Sequence, residues 1–233
     1  MILAAGLGTR MRPLTLNCPK PLLKVAGVPL IEHHIKRLVD ASITDIIINH
    51  AYLGDQIESY LKDGRHLGAN IVYSPEPADN PLETGGGILQ ALPLISPDNE
   101  PFLVVNGDVW LDFRLGNLIK GGLRQKDLAK LVLVDNPDHN PDGDFYLTQD
   151  GQVVEQSTEA QTLKLTFSGV SLLSPELFAG LKAGPSKLAP LLRKAIEQNR
   201  VSGLHHQGYW LDVGTPERLT SLEQYLSHSH EYE

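Results

Sequence analysis

A chain of 233 residues with 41% hydrophobic and 21% charged residues has enough apolar material for one substantial core, and it lacks the composition of a disordered or fibrous protein. Twenty-eight acidic against twenty basic residues leave a net charge of −8, which excludes a non-specific nucleic-acid binder, because such a surface must neutralise phosphates. The single cysteine, Cys18, excludes an intramolecular disulfide, and no run of 18 apolar residues is present to span a membrane.

Taken in order, the first half alternates apolar β-rich runs with amphipathic segments. Met1–Ala5 reads as a strand with no basic region ahead of it, so no leader peptide and a cytoplasmic location are expected. Pro29–Ser42 follows as a helix, with Leu30, Ile31, His34, Ile35, Leu38 and Val39 at helical spacing. Asp45–Asn49 is a continuous apolar run of the kind buried on both faces of a sheet. Leu53–Lys62 reads as a helix, Asn70–Tyr73 as a strand, and Ile88–Leu94 as a short helix after a glycine run. Phe102–Asn106 is a strand that ends at Gly107 and Asp108. This β-α-β order predicts an α/β fold, a Rossmann-like doubly wound sheet that is mixed but mostly parallel.

After Trp110 the pattern loosens. Leu115–Gln125 is predicted as a helix and Lys130–Val134 as a strand. Phe145–Leu147, Val153–Glu155 and Lys164–Leu173 read as strands, the first two separated by an Asp150-Gly151 turn. Helices are expected at Pro175–Leu181 and at Lys187–Gln198, the latter capped by Ser186. Gly208–Val213 is the last predicted strand, and Pro216 opens a final helix through Leu226. The tail carries His228 and His230, which read as a solvated terminus rather than a metal site. The chain is expected to be one domain over 1–233, with 1–112 and 113–233 as its two halves.

The chemistry concentrates in the first two dozen residues. Gly6-Leu7-Gly8-Thr9-Arg10-Met11 has the first two glycines of GxGxxG but Met11 in the third place, which weakens a dinucleotide reading. No GK[ST] follows, so a Walker loop is excluded. Arg10, Arg12, Lys20 and Lys24 lie in this stretch without a single acidic residue, and Pro13, Pro19 and Pro21 stiffen it. Local positive charge on an acidic body points to a small anionic ligand.

LAAGLGTRMRPLT followed by PKPLL resembles the nucleotide-binding signature of the sugar-1-phosphate nucleotidylyltransferases. Those enzymes join a nucleoside triphosphate to a sugar 1-phosphate and release pyrophosphate. The resemblance implies the nucleotide-diphospho-sugar transferase fold, with Ala4, Ala5, Gly6, Gly8 and Thr9 lining the nucleotide. It also implies that Arg10 stabilises the departing pyrophosphate and that Lys20 contacts the phosphates. A guanidinium fork and a compact ammonium suit charge that spreads during phosphoryl transfer. Thr84 and Gly85, in LETGGG, fall where the family packs on the base, and Asn106 falls near the ribose or the sugar.

Asp108 stands just past the end of a predicted strand, and Asp212 lies near the end of another in WLDVGT. Two carboxylates at strand ends suit Mg²⁺, which takes one or two protein carboxylates and completes its shell with phosphate oxygens and water. Both match the family's metal ligands. On the sugar side the resemblance implies Asp144, Glu155 and Gly169. Relatives carry Glu-Lys-Pro where this chain has Glu155-Gln156-Ser157, so another cation is implied on the sugar phosphate, with Lys187 the candidate. The expected partners are UTP and a sugar 1-phosphate, without nucleic acid or membrane, on a monomer or weak homodimer. Mannose- or glucose-1-phosphate nucleotidylyltransferases using GTP, UTP or dTTP stay open within the class. Outside it stand a sugar-nucleotide-sensing regulatory subunit and a nicotinamide-dependent oxidoreductase.

Overall fold

A computed structural model describes residues 1–157 and 162–229. In chain order the strands and helices are β1 (Ile2–Ala4), β2 (Lys24–Val25), β3 (Val28–Pro29), α1 (Leu30–Asp40), β4 (Asp45–His50), α2 (Gly54–Leu61) and β5 (Asn70–Pro75). Next come α3 (Glu83–Ile95), β6 (Phe102–Asn106), β7 (Val109–Leu111), α4 (Leu115–Lys120), β8 (Ala129–Val134), β9 (Phe145–Leu147) and β10 (Val153–Val154). The remainder is β11 (Leu163–Leu173), α5 (Leu188–Glu197), β12 (Val201–His206), β13 (Trp210–Asp212) and α6 (Pro216–Ser229). The expected α/β class holds. Two compact units interleave along the chain: the first takes Met1–Pro81, Asn106–Asp112 and the residues from Tyr209 on, and the second takes Leu82–Val105 and Phe113–Gly208.

In the first unit β4 lies between β1 and β5, and both pairings are parallel. Ile46, Ile47 and Ile48 are all buried, as a strand covered on both faces requires. The period-3.6 positions of α1 behave as expected: Leu30, Ile31, His34, Ile35 and Leu38 are buried while Lys36 and Asp40 are exposed. β7 and β13 form a separate antiparallel ribbon, with Asp212 opposite Val109. Behind that ribbon Val213, Leu222, Leu226, Val25 and Leu30 make one apolar cluster. The ribbon that carries both candidate metal aspartates is therefore backed by α6 and the β2–β3 hairpin.

In the second unit β11 is the long central strand, antiparallel to β6, β8 and β9. β12 runs parallel to β8, pairing Val201 through His206 with Ala129 through Val134. That strand has no counterpart among the predicted elements: VSGLHH has a glycine in the middle and two histidines at its end, so its alternation is weak. α4 is also shorter than predicted, stopping at Lys120 because Gly121 and Gly122 follow. Pro175–Phe178 is a single 3-10 turn rather than a helix to Leu181, capped by the Ser174 hydroxyl.

The glycine run before Ile88 was expected to be a loop, and the structure corrects this. α3 begins at Glu83, so Gly85, Gly86 and Gly87 lie inside its first turns, all buried. The reason is close packing against the segment before α5. The Gly86 amide donates to Ser186 O at 3.0 Å, and the Ser186 amide donates to Leu82 O at 2.9 Å. A Cβ on Gly86 would stand 2.3 Å from Gly184 O, and one on Gly85 would stand 2.9 Å from Ser186 O. Ser186 is thus a backbone partner of α3 and not the cap of α5, whose N-cap residue is Lys187 with no side-chain cap bond.

Candidate active site

The opening loop is built from its buried members outward. Gly8 adopts left-handed backbone (φ 62°) and leads into a 3-10 turn over Thr9–Met11. Met11 and Thr15 are fully buried, and the Thr15 hydroxyl donates to Gly8 O at 2.7 Å. Those anchors leave Gly6, Thr9 and Arg10 exposed on the outer side of the loop, with Ala5 and Gly8 half-buried. Ala4 is buried in β1, and its amide is already committed, donating to Asn49 Oδ1 at 3.0 Å. Asn49 is held in turn by Glu76, whose Oε1 accepts from Nδ2 at 2.6 Å. Of the glycine-loop residues expected to line a nucleotide, Ala4 therefore contributes the strand's end rather than a donor, and the exposed members are Gly6, Thr9 and Arg10.

Lys20 follows on a second 3-10 turn, Lys20–Leu22, with Pro19 as its N-cap residue and Pro21 inside it. Its ammonium lies 2.7 Å from Asp108 Oδ2; the Lys20 side chain is 11% exposed and that of Asp108 is 38% exposed. Two residues 88 positions apart, predicted separately, therefore meet. Asp108 reaches that place because Gly107 packs hard against β1. The Gly107 amide donates to Leu3 O at 2.8 Å, and a Cβ there would stand 2.7 Å from the same oxygen.

Asp212 is tied to the same ribbon end, since the Val213 amide donates to Asp108 O at 2.8 Å. Its Oδ2 accepts from Arg218 Nη1 at 2.8 Å, and both side chains are about four-fifths buried. Arg218, in the first turn of α6, is one site residue that sequence reasoning missed. Its only sequence signal is a cation six positions after Asp212. His34, expected from its helical spacing to face the core, is fully buried in α1, where it is affected by the charge of Asp108 and by the backbone of Gly107. Burial, reinforced by the Arg37 charge, pushes its imidazole down to about 3, so it stays neutral near neutral pH.

The donor chemistry of this corner suits a hard divalent cation. Asp108 and Asp212 offer carboxylate oxygens from neighbouring strand ends, the number of protein carboxylates Mg²⁺ usually takes when phosphates complete its shell. Among the described residues, no three His, Cys, Asp or Glu side chains gather into a metal cage.

In the second unit, Thr84 and Gly85 sit in the first turn of α3, Thr84 half-buried and Gly85 buried. Asn106, assigned to the first unit, ends β6 half-buried. Asp144 was expected to contact a sugar, yet both of its oxygens have protein partners. Oδ1 accepts from Asn140 Nδ2 at 3.2 Å and Oδ2 from the Phe167 amide at 2.8 Å. Gly169 is buried in β11 with φ 84°, at the point where the pairing with β8 shifts register. Glu155 is paired through Oε2 with Arg193, whose guanidinium also lies 5.4 Å from the centre of the Phe145 ring. The cation that meets Glu155 is thus Arg193; Lys187 is exposed at the start of α5. His228 Nδ1 lies 2.7 Å from Gln224 O of its own helix, and His230 lies outside the described residues.

A family model described as nucleotidyl transferase matches residues 1–229. An N-acetylmuramate alpha-1-phosphate uridylyltransferase from Neisseria meningitidis is 56% identical over 226 residues, covering 96% of each chain. A protein of the same name from Caulobacter vibrioides is 35% identical, over 97% of this chain and 96% of its own. Among solved structures, a Bacillus anthracis protein in complex with a sucrose superposes with a TM-score of 0.80 at 23% identity, covering 96% of this chain and 93% of that one. The chain belongs to the nucleotidyl transferase family.

Proposed function

We propose that this chain transfers UMP from UTP to N-acetylmuramate α-1-phosphate, giving UDP-N-acetylmuramate and pyrophosphate. The observation that carries the reading is 56% identity over 96% of both chains to the Neisseria enzyme of that name. A phosphate oxygen of the sugar 1-phosphate attacks the α-phosphorus of UTP; the new P–O bond forms as the bond to the β-phosphate bridge oxygen breaks. That nucleophile is already an anion at neutral pH, so no side chain need remove a proton. Catalysis is then positioning and charge neutralisation.

In this reading Arg10 and Lys20 neutralise the triphosphate and the departing pyrophosphate. Gly6, Gly8 and Thr9, with Ala4 and Ala5 at the strand end, follow the phosphates with backbone groups, and Thr84 and Gly85 read the uracil. Asn106 serves the ribose or the sugar. Asp108 and Asp212 would hold Mg²⁺, which when bound withdraws charge from the phosphate oxygens. Asp144, Glu155 and Gly169 belong to the sugar side, Glu155 through its pairing with Arg193. In this reading the product feeds cell-wall peptidoglycan recycling, and the chain acts in the cytoplasm as a monomer or weak homodimer. No helix of the described residues is long and apolar enough to cross a membrane.

The test is pyrophosphate release with each of the four nucleoside triphosphates against a panel of sugar 1-phosphates in the presence of Mg²⁺. UTP with N-acetylmuramate 1-phosphate is expected to be best. A preference for GTP with mannose 1-phosphate would overturn the substrate assignment and leave the family intact.

A further inference from the structure

N-acetylmuramate differs from N-acetylglucosamine by a lactyl ether that ends in a carboxylate. A protein that selects the former must meet that charge with something. In the second unit Arg124 and Arg200 are already spent on neighbours. Arg200 is spent on Glu176 through two nitrogens and on Lys126 O through a third, and Arg124 donates to Asp150 O. Arg193 is placed differently. One nitrogen bonds Glu155 Oε2, the guanidinium is stacked over Phe145, and the side chain is 49% exposed. A guanidinium has five N–H donors in a flat fork, so one edge is committed and another faces outward.

As a purely structural bridge the pair is poorly made. Glu155 Oε1 is buried and accepts no hydrogen bond among the described residues, so the contact is single where a bidentate one would satisfy both oxygens. The Phe145 ring and the Glu155 carboxylate instead fix one side of the guanidinium while about half of the side chain stays exposed. The charge balance also selects the ligand. Arg193 with Glu155 is locally neutral, so the pair has no excess positive charge with which to hold a dianionic phosphate, and its remaining donors suit a monoanion. A carboxylate matches the free edge in both shape and charge.

We propose that Arg193 is the residue that selects the muramyl sugar, its outer guanidinium edge binding the lactyl carboxylate while Glu155 and Phe145 hold the fork in place. This rests on the uridylyltransferase reading above. The test uses the full chain, UTP, and three acceptors: N-acetylmuramate 1-phosphate, the same compound with its lactyl carboxylate amidated, and N-acetylglucosamine 1-phosphate. If the unaltered protein uses none of them, or prefers N-acetylglucosamine 1-phosphate, the functional reading fails and takes the proposal with it. If it prefers N-acetylmuramate 1-phosphate, amidation is expected to lower kcat/KM roughly 10- to 100-fold, the range for a charged hydrogen-bonded pair. Arg193→Gln is expected to lose the same factor on the muramyl substrate, mostly in KM. That variant should be nearly indifferent to amidation and change less than about threefold on N-acetylglucosamine 1-phosphate, so that the two losses do not add. An equal loss on both sugars in Arg193→Gln would assign the residue to the shared phosphate or to the fold, and would overturn the proposal. So would a wild-type protein indifferent to amidation, a result that needs no variant to fold.

Discussion

Lys20 and Asp108 are each asked for twice: they bind one another at 2.7 Å, and the proposed reaction needs the ammonium on phosphate and the carboxylate on Mg²⁺. The pair must open when the triphosphate enters, and that makes metal affinity depend on the nucleotide. Lys20→Met is therefore expected to bind Mn²⁺ more tightly than the unaltered protein when no nucleotide is present, by roughly threefold to tenfold for a partly exposed ion pair, while turnover drops. A titration followed by electron paramagnetic resonance measures it, and equal affinities would mean that the pair does not guard the aspartate. Asp108→Ala should lose at least about a thousandfold in turnover, the scale of removing a group that stabilises transferring charge, with the fold retained by circular dichroism but a lower melting temperature, because the largely buried Lys20 ammonium loses its partner. His34 makes a separate prediction in the acid range. Its folded-state pKa, about 3, lies below the ordinary 6.5, so the unfolded chain binds the proton first. Its stabilising share is complete above about pH 6.5 and is lost as the pH falls towards 3, with a limiting slope of about 1.4 kcal/mol per unit. Urea unfolding across that range should show a shallower pH dependence in His34→Gln than in the unaltered chain.

At the scale of the element, the glycine-led start of α3 is the sharpest test of packing. Gly86→Ala would push a methyl group to within 2.3 Å of Gly184 O, a backbone atom that cannot turn aside, and is expected to cost roughly 2–3 kcal/mol. Gly116→Ala, at a half-buried position of α4 with open space for a Cβ, should instead stabilise by up to about 1 kcal/mol. Denaturant midpoints decide both, and equal effects would mean that helix propensity rather than the approach of the 184–187 segment governs α3. These helices also show what the sequence could convey. α1 and β4 were legible because their apolar periods are strong and local: Leu30 to Leu38 repeats every three or four residues, and Ile46-Ile47-Ile48 is unbroken. α3 was misread because three glycines signal a loop unless a distant backbone is known to lie against them, and Ser186 stands a hundred residues away. β12 escaped because its strand character comes from pairing with β8, not from Val201-Ser202-Gly203 itself. The same division holds at the site. Asp108, Asp212, Arg10 and Lys20 sit in motifs, whereas Arg218, His34 and Arg193 gain their meaning only from the partners that folding brings to them.

Across the whole molecule the charge is divided against itself. The whole chain carries −8, yet the first 24 residues hold Arg10, Arg12, Lys20 and Lys24 with no acid among them, so the rest is more acidic still. A highly charged anion such as UTP is repelled by the bulk and attracted by this one stretch, so its capture depends on how far each field extends. At low salt the Debye length is about 30 Å and both act; near physiological ionic strength it is about 8 Å and only the nearest charges count. The distant repulsion is therefore screened first and the local attraction last. The KM for UTP should change little, or even fall slightly, on going from about 10 to 100 mM salt, and then rise as the local cations are screened in turn. Lys24→Glu tests the division, because Lys24 is exposed in β2 and makes no contact assigned to catalysis. It should raise the KM for UTP several-fold below 100 mM salt, leave kcat unaltered, and lose most of its effect at about 500 mM. A variant effect that persists undiminished at high salt would mean that Lys24 acts by contact, and the field of the opening segment would then not be what gathers the nucleotide.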